Sequence, residues 1–197
     1  MRKEDLLAHL RAQGFSSKVV RAFAKVPREE FLPEHLRELA YLDTALPLDR
    51  NSTISQPSTI AFMLEKLELA RKQKILEIGS GSGYVLALLA EITRGEIYGV
   101  EINEILARKS AETLKRLGYN AKVVHASGFD GLPSHAPFDR ILASADFQEI
   151  PFHLVNQLKS KGIVVAPVGS AIVKLSRLNG KTKVERYEGF VFVPMEK

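Results

Sequence analysis

Apolar positions along the chain change their period several times, and each change marks an expected element. Leu6, Leu7 and Leu10 recur at helical spacing before Gly14. Val19, Val20 and Phe23 repeat that spacing after Ser16 and Ser17, which can cap a second helix through about Lys25. Pro27 and Pro33 interrupt the pattern, and residues 34 to 46 read as a short helix followed by an extended piece. The polar stretch Asp49-Arg50-Asn51-Ser52-Thr53-Ile54-Ser55-Gln56 has no period and reads as a loop; Pro57 then opens a helix to about Leu67. From Lys74 onward the chain alternates. Strands are expected near 74–78, 96–101, 121–126, 140–143 and 162–168, with helices near 83–93, 103–117 and 150–158. Two further β segments, near 171–178 and 183–193, flank Asn179-Gly180, a hairpin signal. This alternation predicts an α/β fold: a mostly parallel sheet with helices on both faces, an N-terminal helical cap and a C-terminal β-hairpin. One domain over 1–197 is expected, with residues 1–70 as cap and loop and residues 71–197 as the α/β core.

In such sheets ligands bind beyond the carboxyl ends of the strands. The segment Lys74-Ile75-Leu76-Glu77-Ile78-Gly79-Ser80-Gly81-Ser82-Gly83-Tyr84 runs from strand through glycine turn into helix. Glycine lets the backbone take positive φ and lets a ligand come close, and the following helix points free N–H groups at the loop. The spacing Gly79-x-Gly81-x-Gly83 is not the dinucleotide pattern and lacks the Gly-Lys-Ser/Thr end of a phosphate loop. Glu101 ends the next strand roughly twenty positions after Gly79, where an acid can accept both hydroxyls of a ribose; the lesser alternative is a cap for the helix from Asn103. A nucleoside site without a phosphate cradle points to S-adenosylmethionine. Ser127 falls at a third strand end. Ser52, Thr53 and Ser55 precede the helix from Pro57, where N-capping is the plain alternative to a site role.

Composition narrows the class. The chain has 197 residues, 45% apolar and 26% charged, enough for one globular domain with a sizeable core. No apolar run is long enough to span a bilayer, and the first residues lack a signal-peptide core, so a cytoplasmic protein without a membrane partner is expected. There are no cysteines, which excludes disulfides and thiolate metal sites, and the five histidines (9, 35, 125, 135, 153) have no metal-binding spacing. No metal is expected. The net charge of +5 is scattered among acids, so no nucleic-acid partner is expected either.

Taken together, these residues resemble the protein-L-isoaspartate O-methyltransferases, S-adenosylmethionine-dependent enzymes with a Rossmann-like fold. Val26-Pro27-Arg28-Glu29-x-Phe31-Leu32-Pro33 resembles the family's N-terminal signature. Ala40-Tyr41-x-Asp43-x-Ala45-Leu46-Pro47 and Thr53-Ile54-Ser55-Gln56-Pro57 resemble its active-site segment, and Leu76-Glu77-Ile78-Gly79-x-Gly81-Ser82-Gly83-Tyr84 its cofactor loop. Ala136-Pro137-Phe138-Asp139, Pro167-Val168-Gly169 and Phe192-Val193-Pro194 continue the match. The Thr-Ile-Ser-Gln-Pro segment is the more specific one. The chain departs at Asp49-Arg50-Asn51-Ser52, where the family has Gly-x-Gly-Gln, and at Ala126-Ser127-Gly128, where it has Gly-Asp-Gly; a Gln common before the last hairpin is replaced near Val173.

The resemblance implies methyl transfer from S-adenosylmethionine to the free carboxylate of isoaspartyl residues in damaged proteins or peptides. The ester then closes to a succinimide without enzyme, which starts repair. It implies Ser55 as the catalytic residue, with Thr53 and Ile54 beside it on the substrate. Glu77, Gly79, Ser80, Gly81, Gly83, Glu101, Ile102, Ser127 and Gly128 are implied as cofactor-binding residues. A monomer is expected. The departures leave two alternatives open: a methyltransferase of this fold acting on RNA or a small molecule, or a non-catalytic S-adenosylmethionine-binding paralogue.

Overall fold

The computed structural model describes residues 1–49 and 52–195; Arg50 and Asn51 of the expected polar loop, and the terminal Glu196 and Lys197, lie outside the described residues. In chain order the α-helices are α1 (Lys3–Ala12), α2 (Ser17–Lys25), α3 (Pro57–Lys66), α4 (Tyr84–Thr93) and α5 (Glu104–Arg116). The strands are β1 (Leu46–Pro47), β2 (Thr53–Ile54), β3 (Lys74–Ile78), β4 (Glu96–Glu101), β5 (Ala121–His125), β6 (Phe138–Ala143), β7 (Leu158–Val168), β8 (Ala171–Leu178) and β9 (Lys181–Glu188). Single 3-10 turns cover Arg28–Phe31, Glu34–Leu39, Pro133–His135 and Phe152–Gln157.

β1 and β2 form a small antiparallel pair, and the other seven strands make one sheet in the order β5-β4-β3-β6-β7-β8-β9. From β5 to β7 every pairing is parallel; β7, β8 and β9 run antiparallel. β3 is central because both its neighbours are reached by crossovers, β4 on one side and β6 on the other. The chain therefore reverses its direction of winding at β3, and a crevice opens beyond the ends of β3 and β6.

Side-chain alternation divides the core in two. Ile75, Ile97, Leu142, Ile163, Val165 and Ile172 pack with buried residues of α1 to α4 on one face. Leu76, Ile78, Val100, Ile141, Val164 and Val173 meet Leu132, Phe147, Leu154 and Val155 on the other. The first face carries the α-helices. The second is covered by the two 3-10 turns after β5 and β6 and by their loops. Both faces are covered, so β3 is buried at every position from Ile75 to Ile78 rather than at alternate ones. α4 lies close against β4 because residue 99 is glycine: a Cβ there would stand 2.6 Å from Leu86 Cδ1 and 2.9 Å from Ser80 Oγ.

Most expected elements appear within a few residues of their predicted ends. Asn179 and Gly180 both take positive φ, 51° and 75°, the two-residue hairpin turn their sequence indicates. The last strand ends at Glu188, short of the expected 193, and the segment near 150–158 winds as a 3-10 turn instead of an α-helix. Ser16 does occupy the N-cap of α2 but makes no capping bond: its N–H and hydroxyl both donate to Glu65 on α3. That contact ties α2 to α3 across 49 residues, a separation no local pattern reveals.

Candidate active site

β3 ends at Ile78, and the chain turns there on Gly79 and Gly81, at φ 74° and 51°, values that favour glycine. The turn is pinned to the neighbouring strand: Gly79 and Ser80 N–H both donate to the Val100 carbonyl, at 2.8 and 3.1 Å. The tip is held by Glu101, whose Oε2 accepts from Gly81 N–H at 2.7 Å and whose Oε1 accepts from Asn103 N–H at 2.9 Å. Asn103, not Glu101, caps α5, its side chain accepting from Ile105 and Leu106 N–H. Glu101 thus braces the glycine turn, and its carboxylate retains acceptor directions for further donors.

Beside this turn lies a cavity of about 420 Å³. Thr53, Ile54, Ser55, Glu77, Gly79, Ser80, Gly81, Glu101, Ile102 and Gly128 line it, so ten of the sequence-derived candidates meet at one place. Gly83 and Ser127 are not among the lining residues. Gly83 starts α4 and faces α5, where a Cβ would stand 3.1 Å from both Leu114 Cδ1 and Ser110 Cβ. Ser127 is exposed, and its hydroxyl accepts from Phe129 N–H at 3.4 Å. His125 is also outside the lining; its Nε2 lies 3.1 Å from the Ile102 carbonyl.

Ser52, one of the hydroxyls before α3, lines it too, and so do walls that were not among the candidates: Asp49, Asn103, Ser144, Ala145 and the tail residues Val193, Pro194 and Met195. Ser144 and Ala145 follow β6, a strand end beside β3, and that rule of placement could have found them. The tail is seated by two backbone bonds, Asp146 N–H to the Val193 carbonyl and Met195 N–H to the Asp146 carbonyl, each 2.8 Å. Asp49 Oδ2 accepts from Asn103 Nδ2 at 2.9 Å, which links the loop after β1 to the turn after β4 across the cavity mouth.

The lining has three carboxylates, Asp49, Glu77 and Glu101, and no lysine, arginine or histidine among the described residues. Glu77 is 1% exposed. Its Oε1 accepts from the Ser144 hydroxyl at 2.8 Å, while its Oε2 is buried without a hydrogen-bond partner among the described residues, as is Ser80 Oγ. Burial pushes the Glu77 carboxyl up to about 8; the Ser144 hydroxyl pulls it down and Glu101 adds to the rise. A buried acceptor without a donor is costly. The acceptors therefore suit a ligand that is cationic and carries N–H or O–H groups.

Ser55 sits at the other wall. It does not cap α3: the N-cap is Gln56, and Asp43 supplies the missing acceptor by taking Ser58 N–H at 2.8 Å and Gln56 Nε2 at 3.1 Å. Burial works against ionised Asp43, but the bonds from Ser58 and Gln56 outweigh it and hold its carboxyl below the ordinary value. The Ser55 carbonyl accepts from Arg28 Nη2 at 3.0 Å. Arg28 is 0% exposed, its guanidinium lies 5.1 Å from the Tyr84 ring centre, and its Nε and Nη1 have no hydrogen-bond partner among the described residues. Burial pulls its pKa below the ordinary value, against the opposing influence of Tyr84 and Asp43. Tyr84 begins α4 directly after the glycine turn, so Arg28 touches both the glycine-loop side and the Ser55 side of the cavity.

A parallel sheet with a glycine turn after its central strand and an acid after the next defines a nucleoside-binding α/β protein of the methyltransferase type. The model of the protein-L-isoaspartate(D-aspartate) O-methyltransferase family matches residues 1–197, and the chain belongs to that family. A protein-L-isoaspartate O-methyltransferase of Ignicoccus hospitalis is 44% identical over 172 residues, 85% of this chain and 82% of the relative. One of an Anaeromyxobacter species is 40% identical over 203 residues, 100% of this chain and 83% of the relative. A solved protein-L-isoaspartate O-methyltransferase superposes with a TM-score of 0.90 at 27% identity, covering all of this chain and 66% of that one. A structure from Plasmodium falciparum, described as of the same kind and in complex with S-adenosyl-L-homocysteine, superposes with a TM-score of 0.87 at 24% identity, covering 100% and 99% of the two chains.

Proposed function

We propose that this protein transfers a methyl group from S-adenosylmethionine to the free carboxylate of an isoaspartyl residue in a damaged protein or peptide, the step that initiates repair. The observation that carries the proposal is the cavity at the β3–β6 crevice, lined by Asp49, Glu77 and Glu101 with no lysine, arginine or histidine among the described residues, and bounded on one side by Thr53, Ile54 and Ser55. The named relatives act in this family, and one solved relative is described with the demethylated cofactor. When bound, S-adenosylmethionine supplies an electrophilic methyl group on a positively charged sulfonium. Glu77 Oε2 is the acceptor for its ammonium donors, and the acid walls as a whole favour its charge. Glu101, braced by Gly81 and Asn103, is the acceptor for ribose hydroxyls.

The substrate carboxylate is ionised at neutral pH, so no general base is needed. Opposite charges on the two reactants disappear as the bond to oxygen forms, so water would slow the step by solvating both. Catalysis then comes from alignment and exclusion of water. The Ser55 hydroxyl donates to one carboxylate oxygen and leaves the other free to attack. Arg28 fixes Ser55 through its carbonyl, and the Asp49–Asn103 bond holds the loop after β1 across the mouth. Residues 1–197 act as one domain in this account; the shared core of α1 to α4 and the sheet supports that.

The test is methyl transfer to an isoaspartyl peptide beside its normal aspartyl twin of identical sequence. The expected result is labelled, base-labile ester on the isoaspartyl peptide alone. Equal labelling of both peptides, or cofactor binding with labelling of neither, would overturn the proposal.

A further inference from the structure

A second cavity, of about 190 Å³, lies at the opposite end of the sheet. It is lined by Lys18, Arg21, Lys25, Arg71 and Arg94, by one acid, Glu91, and by Ala22 and Ile92. No residue lines both cavities. Arg71 precedes β3, whereas the glycine turn follows it, so the two sites are separated by the length of a five-residue strand, roughly 17 Å.

The charges there are unbalanced. Glu91 is already taken by Lys25 at 2.6 Å, and Lys18 Nζ donates to the Leu69 carbonyl at 2.9 Å. The side chains of Arg21, Arg71 and Arg94 enter no hydrogen bond or ion pair among the described residues. Helix dipoles account for part of the cluster. Lys25 stands in the last turn of α2 and Arg94 at the C-cap of α4, where the negative helix ends attract cations. They do not account for the rest. Lys18 is in the first turn of α2, where the dipole opposes a cation; Arg21 is mid-helix, and Arg71 lies outside any helix. Five cations around one concavity repel each other, and an anion placed among them relieves that repulsion. Guanidinium forks match phosphate oxygens in pairs, and a phosphoryl group offers more acceptor oxygens and more charge than a carboxylate.

We propose that this cavity is a binding site for a phosphate-bearing anion, with Arg21, Arg71 and Arg94 as its ligating side chains. The phosphate can be that of a free phosphorylated molecule or that of a nucleic-acid backbone. The test is calorimetric titration of the full chain with pyrophosphate and, separately, with a short single-stranded oligonucleotide, at low ionic strength where such contacts are least screened. Each is repeated on the triple variant Arg21→Gln/Arg71→Gln/Arg94→Gln and on Arg71→Gln, which changes no helix. The expected result is binding that weakens about tenfold or more in the triple variant and measurably in Arg71→Gln, with melting temperature retained. Tighter binding of the oligonucleotide than of pyrophosphate, with a steep salt dependence, assigns the backbone source; equal or weaker binding assigns the free molecule. No binding of either probe, or binding that the variants leave unchanged, would overturn the proposal and leave the cations as partners of the two helix ends.

Discussion

Arg28 and Glu77 are the two buried charged side chains at the site that keep atoms without partners, and each carries a prediction. Replacing Arg28 by Met removes a buried cation that has no ion-pair partner among the described residues, so stability should fall by less than about 2 kcal/mol or rise. The Ser55 carbonyl, however, loses its donor. The KM for an isoaspartyl peptide should rise about tenfold while cofactor affinity holds; unchanged KM would mean that Arg28 does not position Ser55. Glu77 is raised to about 8 by burial, so it is mostly protonated at pH 7. A cationic cofactor beside it should expel that proton. Binding enthalpies measured in phosphate and in Tris at pH 7 should then differ by up to about one proton's worth of buffer ionisation. Equal enthalpies would remove Glu77 from the cation site. Without ligand the sign of the linkage is fixed. The unfolded carboxyl releases its proton near its ordinary value while the folded one keeps it until about 8, so this group's contribution to stability is full at low pH and is lost as pH rises through that window.

Among the elements, those built from local pattern were legible and those built from distant contacts were not. The apolar run 74–78, the glycine turn and the acid at 101 sit close together in sequence and announced the cofactor side of the cavity. The two-residue turn at Asn179-Gly180 announced the hairpin in the same way. Asp43 could not be read as the cap of α3, because its contact with Ser58 spans 15 residues; Ser144 could not be read as the partner of Glu77, 67 residues away. From its local pattern alone Ser55 reads as a cap; only the resemblance of Thr53-Ile54-Ser55-Gln56-Pro57 marks it as a site residue, and the fold supplies another cap in Asp43. The tail wall was equally hidden, since Val193, Pro194 and Met195 reach the cavity only by pairing with Asp146. Ending the chain after Phe192 should open that wall. Cofactor affinity should drop about tenfold or more while the sheet, whose last strand ends at Glu188, stays folded. A truncated chain with full affinity, followed by calorimetry, would show that the tail only covers the site from outside.

At the scale of the whole molecule, the sheet brings a cationic-ligand cavity on β3 and β4 against a hydroxyl-bearing segment from the N-terminal third. Methyl transfer is expected where those two parts meet, with Ser55 on the substrate. Because Asp43 caps α3, Ser55→Ala removes no capping bond. The direct measurement is single-turnover methyl transfer to an isoaspartyl peptide by this variant, with its melting temperature taken alongside. The expected result is a rate lower by about tenfold to a hundredfold, or roughly 1.4–2.7 kcal/mol of transition-state stabilisation, and a melting temperature that does not move. Full transfer with a lowered melting temperature would contradict it and make Ser55 a structural residue.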